Sequence, residues 1–305
     1  MRRKINLVGQ NTLTVSLPSK WVEKNNIKKG DEVELIEESN RLILGGSNSL
    51  PSKNLDFKIN KKDELLNRVI FGPYMRGFSS LTYRFDDPSI ASKLMASVKK
   101  MIGFEIVEQK EKMIRLEQVS SGMDQNFIKL VYRLFFILKA NNESVKTFLK
   151  TPTTDFSAIS ELEFECDKIS LYCRRLINMN SLNKGVADNT MFYNIICLAE
   201  MSGDELEDIV DYFEDKVFSK YKYDMKIDAL FDMVTKSFDA VFSKINILLE
   251  AKINSSNELD ITLANLRRDF KKKYFNLKTD NQNLTIAHHL FSIINHIKHM
   301  SQELY

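Results

Sequence analysis

The chain has 305 residues, 43% hydrophobic and 28% charged, with a formal net charge of +3. Such a length leaves room for two or three domains of a globular protein, and with so small a net charge any nucleic-acid binding has to come from a local segment. No apolar run of about 18 residues occurs, and Arg2 and Arg3 lead directly into a strand pattern, so neither membrane insertion nor a secretory leader is expected.

The first 46 residues alternate at period two. Ile5 and Leu7, then Leu13, Val15 and Leu17, then Val33 and Leu35, then Leu42 and Leu44 each recur at strand spacing. Gly9 to Asn11, Lys29 to Asp31, and Ser39 with Asn40 separate these runs, and a helical turn opens after Pro18. A unit of roughly 45 residues without Cys buries too little apolar surface to stand alone, so a second copy is expected to complete its core. Its charge is asymmetric. Arg2, Arg3, Lys4, Lys20, Lys24, Lys28 and Lys29 are offset only by Glu23, whereas Asp31, Glu32, Glu34, Glu37 and Glu38 follow in a block. Such a surface suits a phosphate backbone, and the plain alternative is a solvated basic face.

With LPSKW at the helix start and IKKGDEVEL at the second hairpin, residues 2–46 resemble the AbrB (SpoVT-AbrB) swapped-hairpin DNA-binding domain of transition-state regulators and antitoxins. The resemblance implies an interleaved homodimer that lays its basic surface on DNA. Arg2, Arg3, Lys4 and Lys20 are then the candidate DNA contacts.

Residues 47–60, rich in Gly, Ser, Asn and Lys, read as a linker after the 1–46 domain. Residues 61–120 read as a short α+β connector. LLNRVIFGPYMRGF is helical until Pro73 interrupts it, SSLTYRF is strand-like, IASKLMASVKKMIG is a helix opening after Pro88, and FEIVEQ and MIRLEQV form a hairpin.

From residue 121 the pattern is helical, with stretches near 124–150, 155–182, 185–219, 226–251, 258–278 and 283–304, punctuated at Pro152 and Asp155, Asn183 to Gly185, Asn254 to Asn257, and Asp280 to Asn283. Ile159, Leu162, Cys166, Ile169, Cys173 and Leu176 make a seam of coiled-coil type, and further stripes run through Leu206, Ile209, Val210, Phe213 and Val217, and through Leu290, Ile293, Ile294 and Ile297. Two bundles of three helices, 121–222 and 223–305, are expected, making the chain multidomain and mainly α. The two Cys on the seam read as core packing; with Cys197, they fit a reducing, cytoplasmic setting.

Carboxylates recur at helical spacing. Glu163 and Asp167, and Glu207 and Asp211, are i, i+4 pairs beside apolar stripes, and two such pairs on neighbouring helices can converge on a cation; each alone also fits a solvated acidic face. The run Glu200, Asp204, Glu205, Glu207, Asp208, Asp211, Glu214 and Asp215 is offset only by Lys216 and calls for cations or basic partners. LEFECDKISLYCRRLIN and LEDIVDYF resemble the two carboxylate helices of the PhoU family, and residues 61–120 resemble the connector of archaeal PhoU-like regulators with an AbrB-type N-terminus. The resemblance implies paired three-helix bundles, a divalent or iron metal site on Glu163, Asp167, Glu207 and Asp211 in the first bundle, and regulation of phosphate uptake.

The second bundle departs from that pattern, with Phe291 and Asn295 in LFSIINHI, and Asn265 and Asp269 in NLRRDF, so no second metal cluster is expected. His288, His289, His296 and His299 crowd the same helix, His296 and His299 sharing a face at i, i+3, and with no carboxylate expected nearby they read as surface or capping residues. Glu followed three residues later by His, which a ferritin-like oxidase needs on two helices, never occurs, and neither do phosphate-loop, dinucleotide, nucleophile-elbow or CxxC motifs. An enzyme is therefore not expected. Two readings remain: a transcription factor with a metal- or partner-sensing helical array, or an adaptor that docks on phosphate-transport or signalling proteins and uses its N-terminal unit only to dimerise.

Overall fold

A computed structural model describes residues 2–38, 41–46, 53–59, 66–120, 127–151, 156–179, 189–214, 221–249 and 257–304, which fall into two units divided between Lys53 and Asn54. In the first, strands β1 (Ile5–Val8) and β2 (Thr12–Val15) form an antiparallel hairpin in which Ile5 faces Val15 and Leu7 faces Leu13. Gly9, at φ +70°, supplies the left-handed residue of the turn, a conformation that costs glycine nothing. Helix α1 (Ser19–Lys24) opens on the carbonyl of Pro18, which accepts from the amides of Trp21 and Val22. Strands β3 (Val33–Glu38) and β4 (Arg41–Gly46) form the second hairpin, with Leu35 opposite Leu44. Ser39 and Asn40, expected as its turn, lie outside the described residues.

The second unit begins with a correction. Residues 47–60 are not linker throughout: 47–52 and 60 lie outside the described residues, but Asn54–Ile59 is a strand, β5. It runs parallel to β6 (Ser80–Phe85), joined through α2 (Leu66–Met75). Helix α3 (Ser89–Val98) leads on to the hairpin of β7 (Phe104–Lys110) and β8 (Met113–Gln118), giving the sheet order β5-β6-β8-β7. Pro73 does not end α2 as expected. The proline removes the amide that would bond Val69, and the buried Tyr83 hydroxyl takes its place, donating to the carbonyls of Val69 and Ile70 at 3.2 and 3.0 Å.

Helices α4 (Phe127–Lys150), α5 (Ser157–Asn178) and α6 (Asn189–Glu214) pack on one another, as do α7 (Asp228–Leu249), α8 (Asn257–Phe275) and α9 (Asn281–Glu303). The two sets meet where α6 lies along α9 and α4 along α7. Lys139, Lys146 and Lys150 of α4 pair in descending order with Asp239, Asp232 and Asp228 of α7, fixing an antiparallel register. The protein is multidomain and mainly α. Ile159, Cys166, Ile169 and Cys173 are buried, and so are Leu206, Ile209, Val210 and Phe213 of α6, and Leu290, Ile293, Ile294 and Ile297 of α9. Cys166 and Cys173 are core residues, as their spacing indicated. Val217, Asp215, Lys216 and the expected breaks at Pro152, Asp155, 183–185 and 254–256 lie outside the described residues, whereas Asp280 caps α9 by accepting from the amide of Asn283 at 2.9 Å.

Helix α2 packs on α5, and one buried cation fastens that contact. Arg175, 1% exposed, donates to the carbonyls of Tyr74 and Phe78 and to Oε1 of Gln118, with its guanidinium 4.9 Å from the rings of both Tyr74 and Phe104. The α+β layer and the helices thus share one core. Among the described residues no helix is long and apolar enough to cross a membrane.

Candidate nucleic-acid interface and carboxylate site

Arg2, Arg3 and Lys4 are exposed immediately ahead of β1, and Lys20 is exposed on α1. Beside them the hairpins present hydrocarbon to solvent. Ile5, Leu7, Leu13, Val15, Leu35 and Leu42 are between 54% and 72% exposed, so much of the face that the period-two pattern marks as core has no cover among the described residues, although Leu17, Val33 and Leu44 are half-buried. In the acidic block, Asp31 and Glu32 are exposed, and Asp31 is occupied locally, its Oδ2 accepting from the Lys28 amide at 2.7 Å.

The carboxylate site is assembled by α5, α6 and the segment after α3. Gly203 permits the close approach of α6, because a Cβ there would stand 3.1 Å from the Cys166 sulfur on α5. Asp167 and Asp204, the next residues of the two helices, are thereby brought together. Asp167, Glu200 and Asp204 each place a carboxylate oxygen within 4.8 Å of the others. Lys100 reaches in from beyond α3, its ammonium 2.6 Å from Asp167 Oδ2 and 3.3 Å from Glu163 Oε1. Arg174 stands 3.4 Å from Glu200 Oε1.

Glu163, Asp167, Glu200, Asp204 and Glu207 therefore share two cations, Lys100 and Arg174, among the described residues. Burial first, and the neighbouring carboxylates second, raise their pKa values. Loss of hydration and then the neighbouring Asp167 push Glu163 up to about 7 against the pull of Lys100. Loss of hydration followed by Glu200 and Asp167 raises Asp204 as well, less firmly than Glu163 because Asp204 is exposed. Glu200 and Glu207 are raised for the same first reason, with Asp211 adding to Glu207. Such a cluster can hold protons, or offer oxygen donors to a hard cation.

Residues 7–49 match the family model for antidote-toxin recognition MazE, bacterial antitoxin. The N-terminal unit is a MazE/AbrB-like domain. No curated protein and no solved structure matches the chain.

Of the residues singled out by spacing, Glu163 and Asp167 share Lys100, and Glu207 lies near enough to Asp167 for the two to repel, while Asp211 is exposed at the edge. Glu200 and Asp204, visible beforehand only as members of an acidic run, are the residues of α6 that form a close group with Asp167. Lys100 gave no signal in the sequence, because nothing local ties it to a helix more than 60 residues away.

The histidines need correction. Carboxylates do stand beside them, supplied by α6: His289 Nδ1 is 2.7 Å from Glu205 Oε2, and Asp208 completes a group within 4.8 Å. His296 is half-buried, its Nδ1 3.4 Å from the Ser202 hydroxyl, and burial lowers its pKa. His288 meets the Tyr274 hydroxyl at 3.1 Å, and His299 is exposed. In the second set of helices, Phe291 stacks on Tyr274 with ring centroids 4.8 Å apart, Asn295 accepts from Arg267 at 3.2 Å, Asn265 accepts from Arg268 at 2.9 Å, and Asp269 is exposed.

Proposed function

We propose that the protein is a DNA-binding transcriptional regulator of phosphate uptake, active as a homodimer through residues 1–46, whose helical array senses a divalent or iron cation, or a partner protein, at the α5–α6 carboxylates. The observation that carries the reading is the uncovered apolar face of the hairpins in the MazE/AbrB-like domain, set beside exposed Arg2, Arg3, Lys4 and Lys20. Burying six such side chains against a second copy is worth on the order of 10 kcal/mol before the cost of association, enough to support a stable dimer. A twofold axis would double the basic patch and space its halves along a duplex.

The phosphate assignment rests on the order of an AbrB-like unit, an α+β connector and a helical array with PhoU-like carboxylate helices. The donor set suits a hard cation: Asp167, Glu200 and Asp204 offer oxygen ligands in one locality, and among the described residues Asp204 and Glu207 form no ion pair while Glu163 and Asp167 share one. A bound cation would supply the positive charge that the cluster lacks. Without it, the raised carboxyls hold protons, so loading exchanges protons for metal.

The test is a gel shift of the purified full-length protein on the DNA upstream of its own gene, with and without manganese or iron(II). A shifted complex whose affinity changes with the metal supports both halves of the proposal. Absence of any shift at low salt, with the protein dimeric, would replace it with the adaptor reading.

A further inference from the structure

Away from the carboxylate site, a cavity of about 310 Å³ opens between α7, α8 and α9. Its floor is hydrocarbon, from Leu263, Ile294 and Ile297, and its charged lining is Asp260, Arg267 and Lys298. The volume lies at the small end of the range for organic ligands, roughly 300–1,000 Å³.

The charges of this wall are unequally engaged. Asp260 is committed to the protein: the ammonium of Lys244, 1% exposed, lies 2.5 Å from its Oδ1 and 3.0 Å from the Ser301 carbonyl. That buried pair neutralises itself, since each partner removed from water is held by the other. Arg267 and Lys298 have no carboxylate among the described residues. The Arg267 guanidinium gives one nitrogen to Asn295 and keeps Nε buried without a hydrogen-bond partner. Nε is shielded from solvent, so a ligand entering the cavity meets the positive charge of the guanidinium rather than Nε itself.

We infer that this cavity is a binding site for a small organic monoanion with an apolar body, a carboxylate of medium chain length, whose head group lies on Arg267 and Lys298 and whose chain covers Leu263, Ile294 and Ile297. Arg267 and Lys298 supply two positive charges for one carboxylate head group. Inorganic phosphate would satisfy the cations but leave the hydrocarbon floor uncovered. A dicarboxylate of the same length would bring its second charge towards Asp260. The site is independent of the metal and DNA readings, and it gives the helical array a second ligand class.

The experiment is isothermal titration of the full-length protein with octanoate, inorganic phosphate and suberate. Octanoate should bind at least tenfold more tightly than either of the others. Arg267→Gln and Lys298→Gln should each weaken octanoate binding tenfold or more, and Arg267→Lys, which keeps the charge and tests that the bundle tolerates change at this position, should retain part of it. Arg268→Gln, on the exposed side of the same helix, should bind as the wild type does. Failure of octanoate to bind, equal affinity for phosphate, or octanoate binding unaffected by Arg267→Gln and Lys298→Gln would each overturn the inference.

Discussion

Glu163→Gln should stabilise this protein in alkaline solution and not in acid. In the folded chain the Glu163 carboxyl titrates at about 7 instead of its ordinary 4.5, with lost hydration as the first cause and Asp167 as the second. A carboxyl whose folded pKa is raised binds its proton more tightly in the native state. Its stabilising contribution is present below the unfolded value, near 4.5, and is lost as the pH rises through about 7. At about 1.4 kcal/mol for each pH unit between those values, the ionised Glu163 costs on the order of 3 kcal/mol at pH 8. Gln keeps the oxygen that Lys100 contacts at 3.3 Å and the same volume, and carries no charge, while Lys100 retains Asp167 at 2.6 Å. Allowing for the attraction Lys100 loses, a gain of about 1–3 kcal/mol is expected at pH 8, shrinking towards zero at pH 4.5. Urea unfolding of both proteins with chelator present, at several pH values and with equal denaturant dependence, measures the difference. A variant no more stable than wild type at pH 8, or one whose effect is the same at both ends of the range, would refute the description of this cluster as overcharged.

Three further outcomes follow from the same structure. Lys100→Met removes the ammonium that stands between Glu163 and Asp167, so the thermal stabilisation given by manganese should be larger in the variant than in the wild type; an equal or smaller shift would mean that Lys100 does not compete with a cation. Arg175→Met removes the donor to the Phe78 carbonyl and to Gln118, and one of the two donors to the Tyr74 carbonyl, which keeps the Gly77 amide, and should cost roughly 2–4 kcal/mol in denaturant unfolding, whereas a loss below about 1 kcal/mol would show that the α2–α5 contact is held by hydrocarbon alone. Leu7→Asp with Leu13→Asp places two charges opposite each other on the apolar hairpin face and should leave a monomer by light scattering with its helical circular dichroism intact; a dimer of unchanged affinity would put the interface elsewhere.

Periodicity made the helices and the hairpins legible, because burying one face writes itself into spacing: the seam through Ile159, Cys166, Ile169 and Cys173 and the facing of Leu7 with Leu13 could be seen in the sequence. Strand β5 was obscured by its neighbours. Leu55, Phe57 and Ile59 alternate, but the stretch follows a Gly- and Ser-rich segment, and its pairing with β6, including the Asp56–Arg84 ion pair at 2.9 Å, is a contact across the intervening helix. Helix α2 outlasts Pro73 for a reason equally remote, the hydroxyl of Tyr83. The carboxylate site was half legible. Spacing puts Glu163 with Asp167 on one helix face, but which residues oppose them depends on how α6 slides along α5, and that is set by the absence of a side chain at Gly203. Lys100, Arg175 and the Glu205–His289 pair are meetings of distant segments that no local pattern records.

If the N-terminal domain binds DNA as a dimer through its basic residues, that binding must weaken steeply with salt. Two copies of Arg2, Arg3, Lys4 and Lys20 would make eight phosphate contacts if each residue took one, which predicts that affinity for a labelled duplex from the upstream region, followed by fluorescence anisotropy, falls by about 10³ to 10⁵ between 50 and 200 mM salt. Arg2, Arg3 and Lys4 changed together to Glu should weaken binding to every sequence alike and remove most of that slope, while the protein stays folded and dimeric. Affinity that does not change with salt, or binding that survives the triple substitution unaltered, would contradict the claim.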